Sequence, residues 1–284
     1  MTWSPVVEER VDVVREVSAK SLHGVLDLRE PAPRDGDPLP PLWHWLAFLP
    51  DAPERFLRDD GHPKLGVFMP PTSLPRRMFA SASVDLITPV YIGQSLLRRS
   101  EVTGVSDKTG RTGALTFVEV THEILAQGDV AIREVQQLVY RGYEPSPDRP
   151  SGNAVSSVDA NGLDEVWDWH HELLPDSRML FRFSALTYNT HRIHYDREYA
   201  TGVEGYPGLV VHGPLQAVAL AQLCRDSLED RTIATFHFRA VRPAFDSAPI
   251  HLRGRMNDED SVELAAVDDA GQRTVSASVT LRSA

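Results

Sequence analysis

Hydrophobic and polar positions divide this chain into stretches of different period. Residues 6–20, "VVEERVDVVREVSAK", place apolar residues at helical spacing, which predicts a surface helix. A Pro-rich loop follows at residues 31–41, and "LWHWLAFLP" is short, strongly apolar and bounded by prolines, which predicts a short helix. Residues 59–77 hold too many Gly and Pro for regular structure. From residue 79 the period falls to two. "FASASVDLITPV" and the stretch from Ser95 to Arg141 read as strands of an antiparallel sheet, broken by the hairpin turns "DKTG" and "AQGD". Residues 144–164 form a polar linker and the best candidate domain boundary. Beyond it come a predicted strand, "RMLFRFSALTY", and a predicted helix, "PLQAVALAQLCRDSLED", with Pro in its first turn. Four strand candidates close the chain: "IATFHFRAVRPAF", "PIHLRGRMND", "SVELAAVDDAG" and "RTVSASVTLRS".

The two halves repeat. "VDLITPVYIGQSLLRRSEV" lies on "FRAVRPAFDSAPIHLRGRM" with Pro89 on Pro243. In each, a strand ends at a proline, a loop follows and an arginine-bearing strand leaves it. That predicts a duplicated unit of one helix and a strongly bent antiparallel sheet.

Composition narrows the picture. The 284 residues are 42% hydrophobic and 24% charged, ordinary for a globular protein with a real core. A net charge of −11 with no basic run argues against nucleic acid as a partner. No apolar run reaches the ~20 residues needed to cross a membrane, and the N-terminal residues lack a signal-peptide pattern. The single cysteine, Cys224, cannot form an internal disulfide and sits in the apolar helix as a packing residue. A cytoplasmic location is expected.

The chemistry gathers in "YNTHRIHYDREYATGVEGYPGLVVHGP", residues 188–214. Gly213 and Pro214 stand where the helix begins. A helix N-terminus offers unpaired N–H groups and partial positive charge, suited to a carbonyl oxygen that becomes negative. Gly213 permits close approach. Pro214 has no N–H, so the donors are Gly213 and Leu215. His194 can exchange a proton with water near neutrality, and the Asn189 amide can hold that water. Together they suit addition of water beside an activated carbonyl, such as a thioester. Plainer roles compete. His191 and His194 have metal-pair spacing but no third ligand is evident. His212 reads as a loop cap, Arg192 as a surface ion-pair partner, Asp196 as a helix N-cap, and Gly205 and Gly208 as turn residues.

At these residues the chain resembles the MaoC-like, (R)-specific enoyl-thioester hydratase and dehydratase family. The resemblance implies an α+β double hot-dog, two antiparallel sheet units each wrapped on a central helix. Residues 1–143 would be a non-catalytic, substrate-shaping unit, 144–164 the linker and 165–284 the catalytic unit. It implies that His194 is the catalytic histidine and that the Gly213 N–H binds the thioester carbonyl. Asn189 stands where most of the family has a catalytic Asp, and His191 and Arg192 replace its Asn-Pro. His194 would therefore carry proton transfer largely alone.

"NTHRIHYD" and "YPGLVVHGPL" resemble the branch of type 2 3-hydroxyacyl-thioester dehydratases and mesaconyl-C4-CoA hydratases. "DPLPPLWHWLAFLP", "DGHPKLGVFMPP" and "LPRRMFAS" resemble the opening segments of the latter. The implied activity is a hydro-lyase acting on an acyl-CoA thioester, as a homodimer, with no cofactor or metal. Arg76, Arg77 and Arg192 are candidates for meeting a substrate carboxylate. A fatty (R)-3-hydroxyacyl-thioester dehydratase is the alternative, and a non-catalytic acyl-thioester-binding protein is the reading from another class.

Overall fold

The computed structural model describes residues 3–110, 113–142, 165–228 and 230–283. The expected linker at 144–164 lies outside the described residues. Among the described residues, ten strands join one antiparallel sheet in the order β1-β3-β4-β5-β2-β7-β10-β9-β8-β6. In chain order these are β1 (Glu8–Val13), β2 (Arg76–Leu86), β3 (Ser95–Gly110), β4 (Gly113–Ala126), β5 (Asp129–Arg141), β6 (Trp169–Leu173), β7 (Arg231–Ala240), β8 (Ile250–Asp258), β9 (Ser261–Asp268) and β10 (Arg273–Ser283). The order reads the same outward from its centre, β2 answering β7 and β1 answering β6. The repeat seen in the sequence has a geometric counterpart. Laying Pro89 on Pro243 lays Ser83 on His237, and Ser83 faces His237 across the β2–β7 pairing. The axis relating the halves passes through that pair, and the architecture is a double hot-dog.

The helices are α1 (Glu16–Val25), α2 (Ser177–Thr187) and α3 (Gly213–Ser227). The two units are unequal in helix. Helix α3 packs on β6 to β10 and buries ten consecutive residues, Leu215 to Cys224. In the N-terminal half, α1 is short and the concave face is covered largely by irregular chain. Trp43, Leu46 and Phe48 enter the main core, and Leu65, Phe68, Met69 and Leu74 cover a smaller core on β3 to β5. The apolar "LWHWLAFLP" makes only one 3₁₀ turn, Trp43–Leu46, between Leu42 and Phe48 in left-handed conformations (φ 69° and 58°).

Two expectations fail for local reasons. The helix expected over 6–20 begins only at Glu16. Before it, the β-branched valines of "EERVDV" form the edge strand β1 against β3. The strand expected at "RMLFRFSALTY" is helix α2. Asp176 caps it by accepting from the Met179 N–H at 2.9 Å, and Leu180, Phe183 and Ser184 form its buried face. The "AQGD" hairpin turns through Gln127 and Gly128, both with positive φ. At "DKTG" the strand continues to Gly110, which pairs with Gly113; residues 111–112 lie outside the described residues.

One charge is deeply buried under the sheet. Glu134 accepts from His44 Nε2 at 3.0 Å and from Trp45 Nε1 at 3.1 Å. Burial alone would raise its carboxyl. The hydrogen bond and charge of His44, with His122 and Gln136, outweigh that and hold it at about 2. A group lowered on folding stabilises the fold above its ordinary value of 4.5 and loses that contribution as pH falls towards 2. Glu134→Ala should therefore cost about 3–5 kcal/mol at neutral pH. Its urea midpoint should also depend less on pH across the acid range than that of the native chain.

Candidate active site

Helix α2 ends on Tyr188, a bulky residue in the left-handed region (φ 48°, ψ 37°), and the Asn189 N–H closes on the Ser184 carbonyl at 2.8 Å. Such conformations cost energy and gather at functional sites. The chain then folds back, with the Asn189 Oδ1 accepting from the His191 N–H at 3.1 Å. A 3₁₀ turn, Arg192–His194, carries His194 inward. The His194 Nδ1–H donates to the Val210 carbonyl at 2.7 Å. A carbonyl only accepts, so Nδ1 carries the proton and Nε2 keeps its lone pair.

His194 stacks on His212 with ring centroids 3.7 Å apart. His212, fully buried, is held through Nε2 by the Ser184 hydroxyl at 2.9 Å. His212 is thus a buttress for His194, and its side chain makes no cap. Burial pushes His194 down to about 4, against the upward pull of the Val210 bond, and the charge of His62 adds to the lowering. Burial and His194 hold His212 well below its usual range. Both imidazoles are neutral at neutral pH.

These groups border a cavity of about 510 Å³ at the junction of the two halves. From the C-terminal half come Asn189, His191, His194 and Gly213; from the N-terminal half come Asp60, His62, Arg76 and Arg77. Gly213 opens α3, and its N–H has no acceptor within the helix. A Cβ placed on it would meet nothing within 4 Å, so the space beside this N–H is open. A carbonyl oxygen seated there and a water against His194 Nε2 have the relation that hydration beside a thioester requires.

The other expected site residues divide. Leu215 is a core residue and does not border the cavity. Arg192 is drawn away from it. Its guanidinium grips Asp196 at 2.7 and 3.0 Å, donates to the Asp59 carbonyl and lies 4.2 Å over the Tyr199 ring. Arg76 borders the cavity, but its charge is met by Glu204 at 2.7 Å. Arg77 borders it and makes no recorded hydrogen bond or ion pair with a described residue. Asp196 accepts from the Tyr199 N–H, as a cap does.

Asp60 and His62 in "DGHP" escaped the sequence reading, which took that segment as irregular chain. Their loop is locked to the one that carries His191 and His194. Thr190 Oγ1 donates to the Gly61 carbonyl at 2.5 Å and the Arg192 N–H to the Asp60 carbonyl at 3.0 Å. A Cβ at Gly61 would lie 1.8 Å from the Thr190 oxygen, at a φ of +93°. The third metal-type donor missing from the sequence is supplied here, beside His191 and not His194. Asp60, His62 and His191 offer ligand atoms within 4.8 Å of one another.

The sequence profile of the type 2 hydroxyacyl-thioester dehydratases matches residues 42–246. The mesaconyl-C(4)-CoA hydratase of Chloroflexus aurantiacus is 44% identical over 282 residues, covering 99% of this chain and 97% of that protein. Among solved structures, HtdX of Mycobacterium tuberculosis aligns with a TM-score of 0.66 at 17% identity, covering 99% of this chain and 100% of that one. Rv0216 of the same organism, described as a double hot-dog, aligns at 0.59 and 11% identity, covering 99% and 97%. At these identities the two structures speak to fold.

Two outcomes follow from the geometry. A base at about 4 is lost only as pH falls through that value, so kcat/KM should hold through pH 6.5, where an ordinary histidine would be half protonated. A pH–rate profile with circular dichroism in the same buffers checks this. Gly61→Ala should destabilise the fold by about 1–3 kcal/mol and lower turnover, read by thermal melting and by assay.

Proposed function

The chain belongs to the type 2 hydroxyacyl-thioester dehydratase family, and we propose that it is a hydro-lyase adding water reversibly across an enoyl-CoA double bond, converting mesaconyl-C4-CoA to citramalyl-CoA. The observation that carries this reading is the pairing of a neutral His194, its Nε2 unprotonated, with the open N–H of Gly213 in one cavity. His194 Nε2 takes a proton from water as the water oxygen bonds to the β-carbon. The double-bond electrons move to the α-carbon and onto the thioester oxygen, which the Gly213 N–H stabilises. The α-carbon then takes the proton back from His194, so the net change is addition of H and OH.

One oxyanion donor is worth about 3 kcal/mol in such reactions. Asn189 orients the water through its amide N–H groups, since its oxygen is already engaged by the His191 N–H. We assign the chemistry to residues 165–284 and the shaping of the acyl end to residues 1–143. The substrate's free carboxylate is attached to the carbon that receives the hydroxyl, so its partner must stand near His194. Of the three candidate arginines, Arg77 is the one that borders the cavity without a recorded partner.

The test is loss of enoyl-thioester absorbance with purified protein. Mesaconyl-C4-CoA should be turned over faster than crotonyl-CoA or a C10 enoyl-CoA, and His194→Ala should lose at least ~10²-fold in kcat/KM. Preference for the C10 chain would move the chain to fatty dehydration. Binding of all three without turnover would leave a thioester-binding protein.

A further inference from the structure

At the Asp60–His62 corner of the cavity two arginines, Arg58 and Arg77, act on the surroundings of one carboxylate. Asp60 is already committed. Its carboxylate accepts from the His62 N–H at 2.9 Å, stands 3.3 Å from His62 Nδ1 and faces Arg58 at 3.5 Å. That contact sets the His62 ring against His191, with centroids 4.2 Å apart, and His191 is the ring next to His194 at 5.5 Å. Arg77 borders the same space without a recorded partner, and its charge acts on both rings.

Two kinds of guest fit three clustered side chains of this type. A divalent cation would take Asp60, His62 and His191 as ligands, but Arg58 and Arg77 would then oppose it, with one carboxylate to offset them. An anion is favoured by the Arg77 charge, and the Asp60 charge is already met by Arg58 at 3.5 Å. Burial pushes His62 down to about 4, with the nearby arginine charges partly offset by Asp60. Burial, then the charges of His62, His194 and Arg77, hold His191 well below its usual range. Asp60 faces the Nδ1 side of His62, so a neutral His62 turns a lone pair to the cavity, and Arg77 with the one N–H of a neutral His191 can receive one carboxylate without stacking charge upon charge.

We propose that His191 and Arg77 form the receptor for the free carboxylate of the acyl group, with His62 as the positioning residue that Asp60 holds against His191. This rests on the hydratase reading above and extends it. The half that lacks the His-Gly helix start supplies two of the three residues that select the substrate. A carboxylate on the β-carbon lies beside His194 when the thioester carbonyl is at Gly213, and His191 and His62 extend from His194 in that order.

The test uses two inert ligands of equal chain length. Succinyl-CoA ends in a carboxylate where butyryl-CoA ends in a methyl, and neither has a double bond to hydrate. Calorimetric titration of the native chain should show succinyl-CoA binding about tenfold or more tightly than butyryl-CoA, a difference of ~1.4 kcal/mol. His62→Gln, His191→Gln and Arg77→Gln should each erase most of that preference and leave butyryl-CoA binding within about twofold. Retained butyryl-CoA binding shows that each variant is folded.

The proposal is overturned if the native chain does not prefer succinyl-CoA, or if the variants keep the preference. It is also overturned if they weaken both ligands equally, or if Zn²⁺ binds stoichiometrically to the native chain and not to His62→Gln. Because no turnover is involved, these outcomes are separate from failure of the hydratase reading, which would appear as no hydration of mesaconyl-C4-CoA.

Discussion

The pairing of β2 with β7 is the constraint on which the rest of the molecule depends. Five residue pairs, from Ser81–Arg239 to Asp85–Thr235, join the two five-stranded halves into one sheet. Backbone hydrogen bonds set that register, and a slip of one residue would turn every side chain of a strand to the other face. Arg77 lies just before the paired stretch of β2, and the chain leaving β7 through Val241, Arg242 and Pro243 lies just after the paired stretch of its partner. Antiparallel pairing brings these ends together on the cavity.

Unequal cover of the sheet explains why the cavity lies at the junction. Helix α3 fills the concave face of its own half. The other half has irregular chain there, and irregular chain can carry polar side chains inward. Asp60 and His62 enter on such a segment. Gly61 makes the entry sterically feasible, because any side chain at that position would strike the Thr190 carbonyl. The loop that carries Asn189 to His194 and the "DGHP" loop are therefore one physical unit, held by hydrogen bonds from the Thr190 hydroxyl and the Arg192 N–H.

Electrostatically the site is a row of imidazoles, His62, His191, His194 and His212, with the Asp60 carboxylate at one end and the Ser184 hydroxyl at the other. Four buried rings in contact cannot all be charged, and burial resolves this by keeping them neutral. A carboxylate at position 189 would pull nearby imidazoles towards the charged form. Asparagine there removes that pull, orders the loop through its oxygen and leaves His194 neutral. The neutral Asn189 side chain also adds no negative charge beside the anionic acyl group proposed for this cavity.

Much of this was legible in the sequence. Helix α3, the "AQGD" hairpin, the closing strands and the repeat about Pro89 and Pro243 all follow from local period and turn chemistry. So did the placing of His194 and Gly213 together, because the helix start and its preceding loop are near in the chain. Short-range pattern failed at β1 and α2. There, valines compatible with either state were decided by a distant partner, β3, and an apolar run without clear period was decided by the adjacent Asp176 cap and the face that α2 buries. It failed again in sorting the arginines, since Arg192 and Arg77 differ only in what surrounds them. Nothing local marks Asp60 and His62 as companions of His191. Gly61 and Thr190 are 129 positions apart, and only closure of the sheet across β2 and β7 brings their loops into contact.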